Sequence, residues 1–369
     1  MSQLLVNDTS LTAVANEIRS KGGTSEQLTF PQGFVDAIEA IPSGGSSGPS
    51  HYCTFTAEQA NSTIKLTCAN NGAQYIYSTD NTTWSSYTSN TVITLTNVGD
   101  YVSFAGVGNW RYTFSSSVYS QFVMTGKIAG SGDANAMLDS EFDGCVNYCC
   151  YYMFVGCRSL TTAPELPATT LAESCYQYMF TNCDSLTTAP ELPATTLVGN
   201  CYAHMFDSCS SLPVAPELPA TTLANSCYAY MFQNCSSITT APELPATTLV
   251  SSCYNYMFIG CRGLITAPEL PATTLKSSCY AYMFKGCSSL TTAPELPAET
   301  LVSSCYNYMF QNCSLLTSVT VGATTWNTSY ANQWLNNVAS SGTVTCPTAC
   351  TIPSDSTSGI PTGWTRVNV

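Results

Sequence analysis

The sequence predicts an α+β chain: a short amino-terminal helical hairpin, an all-β sandwich, and a solenoid of 26-residue units with a carboxy-terminal cap. Three observations carry that reading. Apolar residues follow a helical period within residues 1–42. Short alternating or β-branched runs, punctuated by Asn and Gly, fill residues 51–135. From Cys149 onward one box recurs every 26 residues, seven times over. A fixed period of this size marks stacked repeats, each burying its apolar face against its neighbours.

In the hairpin, Thr9 or Ser10 caps an apolar pattern through Leu11, Val14, Ala15 and Ile18, and Gly22-Gly23 ends it. Pro31 then suits a first helical position, with Phe34, Val35, Ala37, Ile38 and Ile41 following on one face. So small a hairpin buries little alone, so its stripe is expected to pack on copies of itself or on a larger partner. Residues 43–50, rich in Gly, Ser and Pro, read as a flexible linker.

The runs Tyr52/Thr54/Thr56, Thr63–Thr67, Tyr75–Tyr77, Val92–Leu95 and Tyr101–Phe104 predict a small immunoglobulin-like sandwich over residues 51–135. Cys53 and Cys68 are candidates for adjacent strands, with reduced thiols the expected state.

Residues 136–313 hold the repeats. One unit runs from Cys175 through Tyr176, Tyr178, Met179, Phe180 and Cys183 to Leu186, Ala189, Pro190, Glu191, Leu192, Pro193 and Ala194. Cys175, Met179 and Cys183 are spaced i, i+4, i+8, so one or two helical turns would point all three inward. Leu186, Ala189 and Leu192 have the spacing of a short strand, and two prolines forbid a longer helix. Parallel strands stack at about 4.8 Å, so the units would make a rod roughly 34 Å long. Residues 314–369 break the period, and Trp326, Tyr330, Trp334, Leu335 and Val338 supply bulk for a cap over the open edge.

Composition narrows the function. A net charge of -13 with ten Lys and Arg argues against nucleic acid, which needs clustered cations. No run of apolar residues is long enough for a membrane span, and the amino terminus lacks a secretory pattern. Fourteen of twenty cysteines fall on two repeat columns, Cys149 to Cys305 and Cys157 to Cys313. They read as a ladder of buried thiols, with disulfides the alternative. No paired CxxC knuckle accompanies His51 and His204, so no zinc is expected. Neither a cofactor motif nor a catalytic constellation appears, so the chain is not expected to be an enzyme.

Met179-Phe180-Thr181-Asn182-Cys183-Asp184-Ser185-Leu186 and the apolar stretch to Pro193 resemble the surface-antigen (BspA-like) type of leucine-rich repeat. The likeness covers about 165 residues and holds seven times. Cys175 stands where that family usually carries Ile, and the unit is slightly longer than usual. Leu11–Thr24 with Leu28–Val35, and the closing Gly359-Ile360-Pro361-Thr362-Gly363-Trp364, are similar to segments of tail, fibre and baseplate proteins of phages of gut bacteria. This second resemblance implies a virion protein made in the bacterial cytoplasm. It would attach to other virion proteins through residues 1–42, often as a trimer, and present its repeats to a host-surface glycan or protein. A virion spacer and a bacterial adhesin are the alternatives.

Three sets of positions are candidate sites. Tyr178, Tyr230, Tyr256, Tyr282 and Tyr308, with His204 in the same register, would form an aromatic stripe offering flat faces to sugars, or merely cover the core. Tyr176, Tyr202, Tyr228, Tyr254, Tyr280 and Tyr306 do not vary between units, which favours packing. Glu165, Glu191, Glu217, Glu243, Glu269 and Glu295 would form an acidic stripe for a cation or a basic receptor, or splay into solvent. The positions that vary between units, such as Gln177, Ala203, Asn255, Asp207 and Lys285, either form a recognition face or drift neutrally.

Overall fold

The computed structural model describes residues 48–139, 144–354 and 357–369. The helical hairpin expected over residues 1–42 lies outside the described residues, as does most of the linker. Pro49–Val369 forms one unit, rich in β structure. Among the described residues the only helices are two 3-10 turns, Asn109–Arg111 and Ala134–Met137, and none is long and apolar enough to cross a membrane.

Twelve strands are present among the described residues: β1 (Cys53–Ala57), β2 (Ser62–Thr67), β3 (Tyr75–Ser78), β4 (Ser85–Ser86), β5 (Ile93–Leu95), β6 (Tyr101–Gly106), β7 (Gln121–Thr125), β8 (Ile128–Gly132), β9 (Leu160–Thr162), β10 (Ser318–Thr320), β11 (Gly342–Cys346) and β12 (Trp364–Asn368). One sheet runs β4-β3-β6-β1-β8-β9 and a second runs β5-β2-β7. Alternation sets the inward faces: Cys53, Phe55 and Ala57 on β1, and Ser62, Ile64 and Leu66 on β2, are buried while their neighbours are half exposed. Phe55 and Phe104 of the first sheet meet Phe122 of the second at ring separations of 4.9 and 5.3 Å. Cys53 and Cys68 are not on adjacent strands. β1 lies between β6 and β8, whereas Cys68 follows β2 in the other sheet, and all twenty cysteines are free thiols.

The repeats continue directly from these sheets. β9, in the first repeat, pairs in parallel with β8. Phe122 on β7 stacks on Phe154 at 5.2 Å with the planes only 5° apart, taking the place a preceding repeat's Phe would occupy. The Phe column then runs through Phe180, Phe206, Phe232, Phe258, Phe284 and Phe310 at 5.4 to 5.7 Å per step.

The Cys175–Cys183 segment points its three spaced residues inward as expected, each fully buried, but its backbone is not helical. It is a chain of overlapping turns. Alternate N–H groups bond three residues back, as Gln177 to Ser174 and Met179 to Tyr176. The N–H groups between them reach the next repeat, as Tyr176 to Cys201, Tyr178 to Ala203 and Phe180 to Met205. Every fourth residue has positive φ: Ser174 (53°), Tyr178 (59°) and Asn182 (60°). A left-handed residue ends any helix, so the periodicity that suggested one reflects turns of four residues.

The Pro-Glu-Leu-Pro segments also differ from a regular strand. Single parallel bridges flank them, such as Thr240↔Thr266 before and Thr248↔Thr274 after. Among the described residues no backbone hydrogen bond joins one such segment to the next. Proline supplies no N–H, and two in four residues leave too few donors for a ladder.

The cap prolongs the stack. β10, β11 and β12 are parallel neighbours, and Tyr306, Tyr308 and Phe310 donate to Tyr330, Asn332 and Trp334 as they would to another repeat. Trp326 and Trp334 lie 4.7 Å apart over the end of the core. Their indole N–H groups donate to the carbonyls of Ser358 and Gly359 at 2.7 and 2.9 Å. In the closing segment Gly363 has φ 88°, and a Cβ there would run into the Ser340 carbonyl, so the turn before β12 requires glycine.

Candidate functional site

Of the two aromatic columns, Tyr176 to Tyr306 is buried and its rings stack. The half-buried second column runs Tyr178, His204, Tyr230, Tyr256, Tyr282, Tyr308 at 4.2 to 4.5 Å, with planes within 18°. Tyr152 belongs to it too, 4.8 Å from Tyr178. The sequence reading missed Tyr152, although Tyr178 minus one period gives it. Each of these residues has φ between 56° and 61°, a region that costs an L side chain about 1–2 kcal/mol. Close stacking on both sides and the inter-repeat N–H bonds offset that cost.

The stripe is a stack of rings. The flat faces lie against one another, and only ring edges and hydroxyls look outward. Both ends are occupied as well: Tyr152 packs on Tyr119 at 5.1 Å, and Asn332 Nδ2 donates to the Tyr308 hydroxyl at 3.1 Å. Beside the stack, His204 Nδ1 lies 3.3 Å from Asp207 Oδ2. Lys285 Nζ sits 5.3 and 5.4 Å from the ring centres of Tyr282 and Tyr308, within cation–π range.

The second cysteine column has a defined task. Cys183, Cys209, Cys235, Cys261, Cys287 and Cys313 each donate Sγ–H to a Phe carbonyl one repeat back, and Cys157 to that of Phe122 on β7, at 2.9 to 3.1 Å. Burial pushes these thiols up, those of Cys261 and Cys313 to about 12, which keeps them protonated donors.

All six carboxylates of the acidic stripe are exposed, and among the described residues none accepts a side-chain hydrogen bond. Between successive Pro-Glu-Leu-Pro segments, where the missing N–H groups part the backbones, shallow grooves open. One, about 540 Å³, lies between Val214–Pro219 and Thr240–Pro245, and another of about 490 Å³ borders the first repeat at Glu165 and Glu191. Ala, Pro and Leu form the walls, and the Glu side chains stand at the rims. No Lys or Arg lines any of these grooves. Among the described residues no three His, Cys, Asp or Glu side chains converge as metal ligands.

The BspA-type leucine-rich repeat region, in six copies, matches residues 137–265 and 223–339, more than half of the chain. Among solved structures, a leucine-rich repeat protein from Bacteroides ovatus is 17% identical, over 55% of this chain and 68% of its own, with a TM-score of 0.22. No curated protein matches closely enough to count as a relative.

Proposed function

Since the chain belongs to the BspA-type leucine-rich-repeat family, we propose that its repeat stack is a non-catalytic recognition surface for a host-cell glycan or protein. The working face on this reading is the Pro-Glu-Leu-Pro face. The observation that carries it is the row of grooves opened by paired prolines, apolar inside and rimmed by unpartnered carboxylates. The tyrosine stripe is the weaker candidate because its ring faces are already used. We place the surface on a phage particle, held through residues 1–42 and oligomeric there. That finer reading is supported by the amino-terminal and closing segments' likeness to phage tail proteins.

Labelled full-length chain incubated with host bacteria tests the reading. Saturable binding that blocks phage adsorption is the expected result. Virions labelled by an antibody to this chain, without any binding to cells, would leave a spacer. Cell binding with unlabelled virions would leave an adhesin.

A further inference from the structure

We propose that the grooved face docks an α-helix of a partner, one helical turn per repeat, with Lys or Arg along one stripe and small apolar residues beside it. This rests on the recognition reading above and names the partner's chemistry.

Charge complementarity sets the first requirement. Glu191, Glu217, Glu243 and Glu269 are exposed at the rims of successive grooves, and no cation of this chain lines them. The floor sets the second: Ala, Pro and Leu walls, with Val214 at 71% exposure in the groove between Val214–Pro219 and Thr240–Pro245, suit apolar side chains.

Pitch decides between partner conformations. Rings of successive repeats are 4.2 to 4.5 Å apart along the half-buried Tyr column, 5.4 to 5.7 Å along the Phe column and 5.8 to 6.4 Å along the buried Tyr column. A helix advances about 5.4 Å per turn, inside that range, so side chains at i, i+3/i+4 and i+7 can meet successive grooves. An extended strand presents same-face residues about every 6.7 Å, longer than any of these separations. The grooves are also closed to strand addition in register, because the prolines remove the N–H groups a paired strand would use.

The probe is a synthetic Ala/Leu peptide of roughly 18 residues, about five turns, with lysines on one helical face. Its control has the same composition with lysines at alternate positions, as a strand would carry them. Fluorescence anisotropy with the full chain at low salt should show the helical-stripe peptide binding at least about tenfold tighter, and circular dichroism should show it gaining helix. The variant Glu191→Gln/Glu217→Gln/Glu243→Gln/Glu269→Gln should weaken that binding roughly tenfold, because four rim charges are removed. These side chains are exposed, so unchanged near-ultraviolet dichroism should confirm its fold. Equal affinity for both peptides, or an unaffected variant, overturns the proposal. Peptide binding without cell binding upholds it and refutes surface recognition. Cell binding that the helical peptide does not compete refutes it and leaves surface recognition standing.

Discussion

Replacing Cys235 tests whether the second cysteine column works as a ladder of donors or as filler. Cys235 is fully buried, and its Sγ–H donates to the Phe206 carbonyl at 3.0 Å. That carbonyl already accepts the Cys209 N–H at 3.0 Å, so Cys235→Ala leaves it half satisfied, not orphaned. The lost bond is worth about 0.5–1.5 kcal/mol. Removing the sulfur and leaving its space adds about 1–2 kcal/mol, for a loss of about 1.5–3.5 kcal/mol. Cys235→Ser gives up the sulfur's apolar contact but keeps a donor, so it should be the more stable of the two by about 1 kcal/mol. If the sulfur is only filler, the order reverses, because an unpaired buried hydroxyl costs about 1–3 kcal/mol. Urea unfolding of the full chain, followed by tryptophan fluorescence, reads the order directly. A serine variant less stable than the alanine one refutes the donor role.

The same thiols predict a pH response. Burial holds Cys261 and Cys313 near about 12, against roughly 8.5 for an unfolded thiol. Their contribution is therefore complete below about pH 8.5 and lost as pH rises toward 12, so the urea midpoint should fall steadily over that window. Tyr256→Ala removes a ring stacked on both faces and should lower stability by about 1–3 kcal/mol, measured by the same unfolding; no loss would return the stripe to a purely surface role. A fragment of residues 136–369 lacks β8 and Phe122 and should melt well below the full chain or self-associate, read by light scattering; full-chain behaviour would show that the first repeat needs no template.

Much of the architecture was legible because the repeat is so regular. Period 26 alone placed Phe180 and its equivalents in one column and the thiols in two. The runs Thr63–Thr67 and Tyr101–Phe104 likewise located strands, which extend over Ser62–Thr67 and Tyr101–Gly106. What the pattern could not convey was backbone handedness. A spacing of i, i+4, i+8 is shared by a helix and by turns with a left-handed residue every fourth position, and side chains such as Tyr178 carry no mark of their φ. β7 and β8 were missed since Gln121–Gly132 offers little alternation and several glycines. The acidic stripe was legible as a column. Its grooves were not, because they arise from hydrogen bonds that prolines fail to make.

The left-handed positions explain why the sheets at Cys53–Gly132 and the stack form one unit. Each repeat holds three such positions, at about 1–2 kcal/mol for each that is not glycine, and satisfies half its turn N–H groups only through the next repeat. A single repeat thus has a large local cost and no internal way to offset it; the compensation comes entirely from neighbours. Such a stack needs a rigid first surface. β8 supplies a strand edge for Leu160–Thr162, and Phe122 supplies both a ring for Phe154 and a carbonyl for the Cys157 thiol. The sheets of β1–β8 thus present, with antiparallel strands, the same three contacts that each repeat presents to its successor. At the other end Trp334 closes the Phe column with a larger ring and no further repeat to satisfy. Order is therefore imposed from both ends on a segment that has little of its own. This is what allows the Pro-Glu-Leu-Pro face to forgo its ladder bonds and keep its grooves open.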